Sequence, residues 1–223
     1  MFASTGVLIR FVGAGLERDP RAGLFSPVPT LVVCAAGLIG VWFAHRTAFP
    51  PAWGSGAPLR RRLLVPAAVG LGFGLLSAIL DTTFHWTAAF AQHHALQTFN
   101  APFPGSLLFY PGGAVLVEAF YRLLPIPLLL WLISSVVLRG RGQRQVFWAL
   151  ALLTSLIEPV TQDLEGLADA GLLLVATQFV PDYALNLVEA AAFRTSGLLS
   201  MWLVRVAMYL VWHVAYGNFI CHC

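Results

Sequence analysis

The sequence predicts an all-α fold, a polytopic transmembrane helical bundle of about six spanning helices. Of the 223 residues, 58% are hydrophobic and only 10% are charged, whereas about 25% of the residues of a soluble domain are charged. One helix needs roughly 20 apolar residues to cross a bilayer, so six spans would use about 120 residues. The remaining residues suffice for short connections, and contact with lipid in place of water explains the low charge content.

The first 27 residues are expected to form an N-terminal interfacial segment, and residues 28–223 a single transmembrane helical domain. Arg10 interrupts the first apolar stretch and no basic region precedes it, so we expect no cleavable signal peptide. The apolar residues of this segment instead favour a short helix that lies on the membrane surface. They are Phe2, Val7, Leu8, Phe11 and Val12.

Six apolar stretches of the domain are predicted to cross the membrane. Pro125 and Pro127 are expected to bend the third span, and Pro181 the fifth. The longest connection, residues 81–111, is rich in aromatic residues, which suit a membrane–water interface. The predicted spans are approximately residues 28–49, 63–80, 112–138, 145–161, 172–193 and 197–216.

Arginine positions predict the orientation of the bundle. All 13 basic residues are arginine, and they are concentrated in the loops at residues 46–62 and 139–144, whereas the loop at residues 163–169 is acidic. By the positive-inside rule, the arginine-rich loops face the cytoplasm and both termini face outward. The lack of lysine excludes a retinal Schiff base and a P-loop, and the dispersed charge argues against a nucleic-acid partner.

Several ionisable residues fall inside the predicted spans, where each costs roughly 2.5–3.5 kcal/mol on insertion scales. Glu118 and Arg122 are four residues apart with the glutamate first, which favours an intrahelical ion pair. One interpretation is therefore structural, because buried charges that pair with one another fix helix positions. The complete set is Glu118, Arg122, Glu158, Asp182, Glu189, Arg205 and His213.

A functional interpretation of the same residues rests on their relative positions. Gln178, Asp182, Asn186 and Glu189 fall on one stripe of the fifth span, since spacings of 4, 8 and 11 residues return to nearly the same helix face. In the predicted topology, carboxylates and an imidazole from several spans lie near the same end of the bundle. Carboxylate and imidazole groups are ligands of zinc and other divalent metals, and intramembrane clusters of this kind often mark functional sites.

Three segments resemble the CAAX-protease and bacteriocin-processing (CPBP, abortive-infection type) family of intramembrane metalloproteases. The segment Val117–Arg122 is similar to the family motif Glu-Glu-x-x-x-Arg. Ala151–Glu158 is similar to Phe-x-x-x-His. Phe193–Trp202, followed by His213, is similar to the Arg-Thr-Gly-Ser-Leu-Trp stretch and the helix with His-x-x-x-Asn. Order and spacing agree across roughly residues 110–218.

This resemblance implies a polar site inside the bundle that holds zinc or another divalent metal. The implied metal ligands are Glu118, Glu158 and His213. The implied catalytic residues are Glu118, whose carboxylate would activate the bound water, and Arg122, which would orient Glu118 or polarise a carbonyl.

The chain departs from the family motifs at three positions. Val117 replaces the first glutamate, which is the expected water-activating residue of the family, so Glu118 or Asp182 would have to take over that role. Glu158 replaces the histidine of the second motif, and glutamate can also bind zinc. The fourth residue after His213 is Gly217, and the asparagine follows one position later at Asn218. Family members without proteolytic activity would be expected to differ in this way.

The sequence therefore leaves three hypotheses, and whether the protein is an enzyme stays open. The first is a divergent membrane metallohydrolase. The second is a non-catalytic scaffold or accessory subunit of a larger membrane complex, and the third, with little support, is a small transporter. Expected partners are membrane lipids and either a membrane-associated peptide substrate or other membrane subunits. The expected location is the bacterial inner membrane.

Overall fold

The computed structural model describes residues 20–51, 58–93, 99–161 and 171–221, and these residues form helices without a single strand. The all-α prediction is therefore confirmed for the described part of the chain. The predicted interfacial helix in residues 1–19 and the acidic loop at residues 163–169 lie outside the described residues.

Seven helices, which we number in chain order, build the described structure after a short 3-10 helix, Pro20–Phe25. Of the six stretches predicted to span the membrane, each is largely helical in the structure. The helices are α1 (Pro27–Arg46), α2 (Arg60–Phe84), α3 (Trp86–His93), α4 (Ser106–Val137), α5 (Gln143–Thr154), α6 (Leu172–Ser196) and α7 (Leu198–Phe219).

Four of these helices, α1, α2, α4 and α7, are long and apolar enough to cross a membrane, as judged over the described residues. Their most apolar windows have mean hydropathies between 1.5 and 2.2. The structure thus supports a membrane protein but gives four candidate spans where the sequence predicts about six. The other two predicted spans correspond to α5, which has only 12 residues, and α6, whose apolar run is interrupted by Asp182 and Glu189.

Outward-facing side chains on α1 and α2 are large and apolar. Leu31 and Leu38 on α1 are 69% and 73% exposed, and Ile79 on α2 is 63% exposed. Water would disfavour such a surface, because contiguous apolar area is costly to hydrate. Lipid chains would not, so these faces are the ones that a bilayer would cover.

Small residues allow α2 to pack closely along α7. Gly70, Gly74, Ser77 and Asp81 are all buried and recur at helical spacing on one face of α2. A Cβ atom at Gly74 would lie 2.8 Å from the carbonyl oxygen of Met208 on α7. Glycine at these positions lets the two backbones approach, as in small-xxx-small contacts between membrane helices.

Two helices change to π-helical geometry next to the polar residues of the bundle. In α4, the π-helical segment Ala119–Leu123 directly follows Glu118. In α7, the π-helical segment Leu210–Tyr216 contains His213. A π-helical turn takes one extra residue and often occurs at functional sites. These segments therefore determine where the polar side chains of α4 and α7 lie.

Candidate functional site

Six buried side chains from four parts of the chain meet at the centre of the bundle, and we call them the ion-pair network. Two come from α4, two from α6 and one from α7, and one follows α5 in the short helical turn Ile157–Pro159. Each of the six residues as a whole is less than 5% exposed. The members are Glu118, Arg122, Glu158, Asn186, Glu189 and Arg205.

Arg122 bonds to all three carboxylates of the network. Its guanidinium lies 3.0 Å from Glu118, 2.7 Å from Glu189 and 3.4 Å from Glu158. It also donates hydrogen bonds to the side-chain and backbone oxygens of Asn186. The expected contact between Arg122 and a carboxylate is therefore confirmed.

Arg205 makes a second set of bonds to the same carboxylates. It binds Glu158 through two parallel hydrogen bonds of 2.9 and 2.8 Å, the fork geometry that makes arginine–carboxylate pairs strong. It also lies 2.7 Å from Glu189 and 3.4 Å from Glu118. Two guanidinium groups thus contact three carboxylates. The positive and negative groups compensate one another, because an unpaired charge buried in the bundle would cost several kcal/mol of stability.

The carboxylates of the network are poorly placed to bind a metal. Each oxygen of Glu118 and of Glu158 already accepts a hydrogen bond from arginine. Among the residues that the structure describes, no three His, Cys, Asp or Glu side chains are grouped so that they could hold a metal ion. The donors of Glu118, Glu158 and His213 therefore do not fit a divalent cation in this arrangement.

His213, the third predicted ligand, lies among aromatic rings and is 8% exposed. Its ring stacks on Tyr110 with a centroid distance of 4.2 Å and an interplanar angle of 10°. Its Nδ1 atom lies 2.8 Å from the side-chain oxygen of Asn100. On the next helical turn, Asn218 donates a hydrogen bond to the His213 carbonyl oxygen. These contacts explain why a polar ring is stable at this position.

Two neighbouring cavities share the lining residues Phe90, Phe99, Tyr209 and His213, and network residues line one of the two. The larger one, which we call the apolar cavity, has a volume of about 280 Å³, and Phe25, Phe109, Leu116 and Val117 also line it. The smaller one, the polar cavity, has a volume of about 130 Å³. Its remaining lining residues are Trp86, Glu158, Gln178, Asp182, Arg205, Met208 and Trp212.

The stripe predicted for α6 is confirmed by the positions of its side chains. Gln178, Asn186 and Glu189 are buried, and the Gln178 amide donates a hydrogen bond of 2.9 Å to Asp182. Asn186 and Glu189, toward the C-terminal end of the stripe, belong to the ion-pair network. Gln178 and Asp182, toward its N-terminal end, line the polar cavity.

A separate buried carboxylate connects the end of the chain to the end of α2. Asp81 is 1% exposed and accepts hydrogen bonds from the backbone and hydroxyl of Thr87, at 2.9 and 2.7 Å, and from the Tyr216 hydroxyl at 3.0 Å. These donors satisfy its oxygens. They also fasten α7 to the turn between α2 and α3.

The structure brings most of the predicted site residues together and adds others. Glu118, Arg122 and Glu158 share the network, whereas His213 lies beside it and contacts aromatic residues. The sequence predicts only that Arg205 needs a partner, whereas in the structure it contacts all three carboxylates of the network. A long apolar helix with a single arginine was the available signal, because such a residue must meet a carboxylate from another helix.

Three comparisons with known proteins bear on identity. Searches with the chain against protein-family models, curated proteins and solved structures found no match. The resemblance to the CAAX-protease and bacteriocin-processing family therefore stays a prediction from three sequence motifs, and the metal and catalytic roles that it implies stay predictions with it.

Proposed function

We propose that this protein is a non-catalytic membrane protein, a scaffold or accessory subunit of a larger complex in a bacterial inner membrane. One observation carries the proposal: two arginines bind the oxygens of the carboxylates that a metalloprotease of this type would use. A carboxylate bonded to guanidinium groups neither activates a water nor takes a place in a metal's coordination shell as readily as a free one.

The family resemblance supports a degenerate relative. Val117, in the position of the family's first glutamate, lines the apolar cavity, so the expected general base is replaced by an apolar wall. Glu158, in the position of a histidine, bonds to both arginines. The π-helical turn before Asn218 accommodates the extra residue of the third motif, because i→i+5 bonds replace i→i+4 bonds there. The helical framework is thus retained while the reactive groups are altered.

For this function we propose that all six predicted stretches cross the membrane. Helix α6 has 25 residues and would be about 37 Å long at 1.5 Å per residue, more than the ~30 Å of a hydrocarbon core. Its side chains Gln178, Asn186 and Glu189 are buried in the bundle rather than exposed to lipid. Burial among polar partners lowers the free-energy cost of inserting α6 into the membrane. The arginines of the network would then be the neutralising partners that permit α6 and the α5 segment to insert.

Glu118→Gln tests the proposal because glutamine keeps the shape of the side chain and loses its charge. We expect a lower unfolding temperature or weaker assembly with membrane partners, and no peptide cleavage by either the unmutated or the variant protein. Gln145→Ala, at an exposed position of α5, is the control and should change neither property. Cleavage by the unmutated protein that Glu118→Gln abolishes would refute the scaffold proposal.

The rival metallohydrolase hypothesis draws on Glu158, Asp182 and His213, which line the same polar cavity, although the described structure does not group them as metal ligands. The metal content of the purified unmutated protein and of Glu158→Ala can decide between the scaffold and the enzyme. Stoichiometric zinc in the unmutated protein that is lost in Glu158→Ala would support the enzyme. We expect substoichiometric metal in both.

A further inference from the structure

We infer that the polar cavity binds the ammonium group of an organic cation and that the apolar cavity takes an apolar chain attached to it. This goes beyond a scaffold role, because it assigns a ligand to space that the ion-pair network leaves open. Three independent features carry the inference: aromatic walls, a carboxylate that no arginine of the described structure contacts, and the sizes of the two cavities.

The first feature is the wall of the polar cavity, which is largely aromatic. Trp86, Phe90, Phe99, Tyr209 and Trp212 all line it. The rings support one another, with centroid distances of 5.1 Å between Trp86 and Phe99 and 5.0 Å between Trp86 and Trp212. The faces of such rings attract cations, and groups of them recognise quaternary ammonium ligands.

The second feature is the charge around the polar cavity. Glu158, Asp182 and Arg205 line it. Glu158 bonds to both arginines of the network, whereas Asp182 receives its hydrogen bond from the neutral amide of Gln178. A bound ammonium group would therefore pair with the one carboxylate of the cavity that no arginine of the described structure contacts.

The third feature is size. The polar cavity, at about 130 Å³, is close to the engineered cavity of 150 Å³ that binds benzene, so it suits a compact head such as a trimethylammonium group. The apolar cavity is about twice as large, and its shared wall with the polar cavity places the two parts of an amphiphile side by side.

Binding can be measured on the purified full-length protein in neutral detergent by titration calorimetry. We would compare tetramethylammonium, hexyltrimethylammonium and 3,3-dimethylbutanol, an uncharged molecule of similar head shape, at matched ionic strength. Saturable binding of the ammonium ions, and none of the alcohol, is expected. Tighter binding of the hexyl compound identifies a membrane amphiphile as the source of the ligand. Equal binding would support the ammonium site with a free small ammonium ion as its ligand, and would overturn the assignment of a chain to the apolar cavity.

Variants test whether the binding occurs in this cavity. Asp182→Asn keeps the hydrogen bond to Gln178 and removes the charge, so affinity should fall about tenfold, which equals about 1.4 kcal/mol. Asp182→Glu should restore most of it. Phe90→Leu should also weaken binding, whereas Trp148→Phe, at a site 41% exposed on α5, should not. Absence of saturable binding, equal binding of the alcohol, or unchanged affinity in Asp182→Asn with a normal size-exclusion profile would overturn the inference.

Discussion

At the scale of single residues, Arg205 is the side chain on which the ion-pair network depends most. It contacts Glu118, Glu158 and Glu189, so its removal would leave three carboxylates with Arg122 alone. Breaking a buried ion pair from one side costs about 3–5 kcal/mol, because the remaining charge stays buried without a partner. The network is therefore a stabilising feature only while both arginines are present.

We expect Arg205→Ala to lower the free energy of unfolding by about 3–5 kcal/mol. Arg205→Lys should recover part of this, since lysine keeps the charge but cannot form two parallel hydrogen bonds with Glu158. Denaturant titration of the purified protein would measure both. Arg141→Ala, in the exposed loop before α5, is the matched control. Similar stability of Arg205→Ala and Arg141→Ala would show that the network does not stabilise the bundle.

At the scale of helices, the contact between α2 and α7 depends on glycine. A Cβ atom at Gly74 would lie 2.7 Å from the Cβ atom of Val211 and 2.8 Å from the Met208 carbonyl oxygen. A side chain there must separate the two helices. Because α7 carries both Arg205 and His213, their separation would also move the network and the shared wall of the cavities.

Gly74→Val should therefore destabilise the protein by about 1–3 kcal/mol, the usual cost of overpacking. Gly72→Val is a close control, because a Cβ atom at Gly72 meets no other atom of the described structure within 4 Å. Thermal unfolding of the two variants would separate the effect of the contact from that of the changed residue type. Equal unfolding temperatures would contradict the close approach of α2 and α7.

At the scale of the whole molecule, the distribution of arginine predicts the orientation in the membrane. We expect the loop containing Arg139, Arg141 and Arg144 to lie in the cytoplasm and the connection at residues 163–169 to lie outside. Reporter fusions after Gly142 and after Gly166 would show opposite sides. If both reported the same side, the α5 segment would not cross the membrane and the six-span arrangement would be wrong.

Sequence patterns predicted the helices and the part of the site that depends on local spacing, but they did not predict the contacts between distant helices. Apolar runs give the helices directly, and local spacing gives the Glu118–Arg122 pair and the stripe on α6, because helical geometry relates residues four apart. The bonds from Arg205 to Glu118 and from His213 to Asn100 join residues far apart in the chain. Those contacts depend on how the helices pack, which local spacing does not encode.

The position of Arg205 in the last helix has a consequence for biogenesis. A ribosome delivers the N-terminal helices first, so Glu118, Glu158 and Glu189 are all synthesised before Arg205. Until α7 enters the bilayer, Arg122 is the only arginine of the network available to them. Tyr216, which binds Asp81, is also made late. The network therefore lacks its second arginine until α7 has been made, so the contacts of Arg205 and Tyr216 are among the last of the described contacts to form.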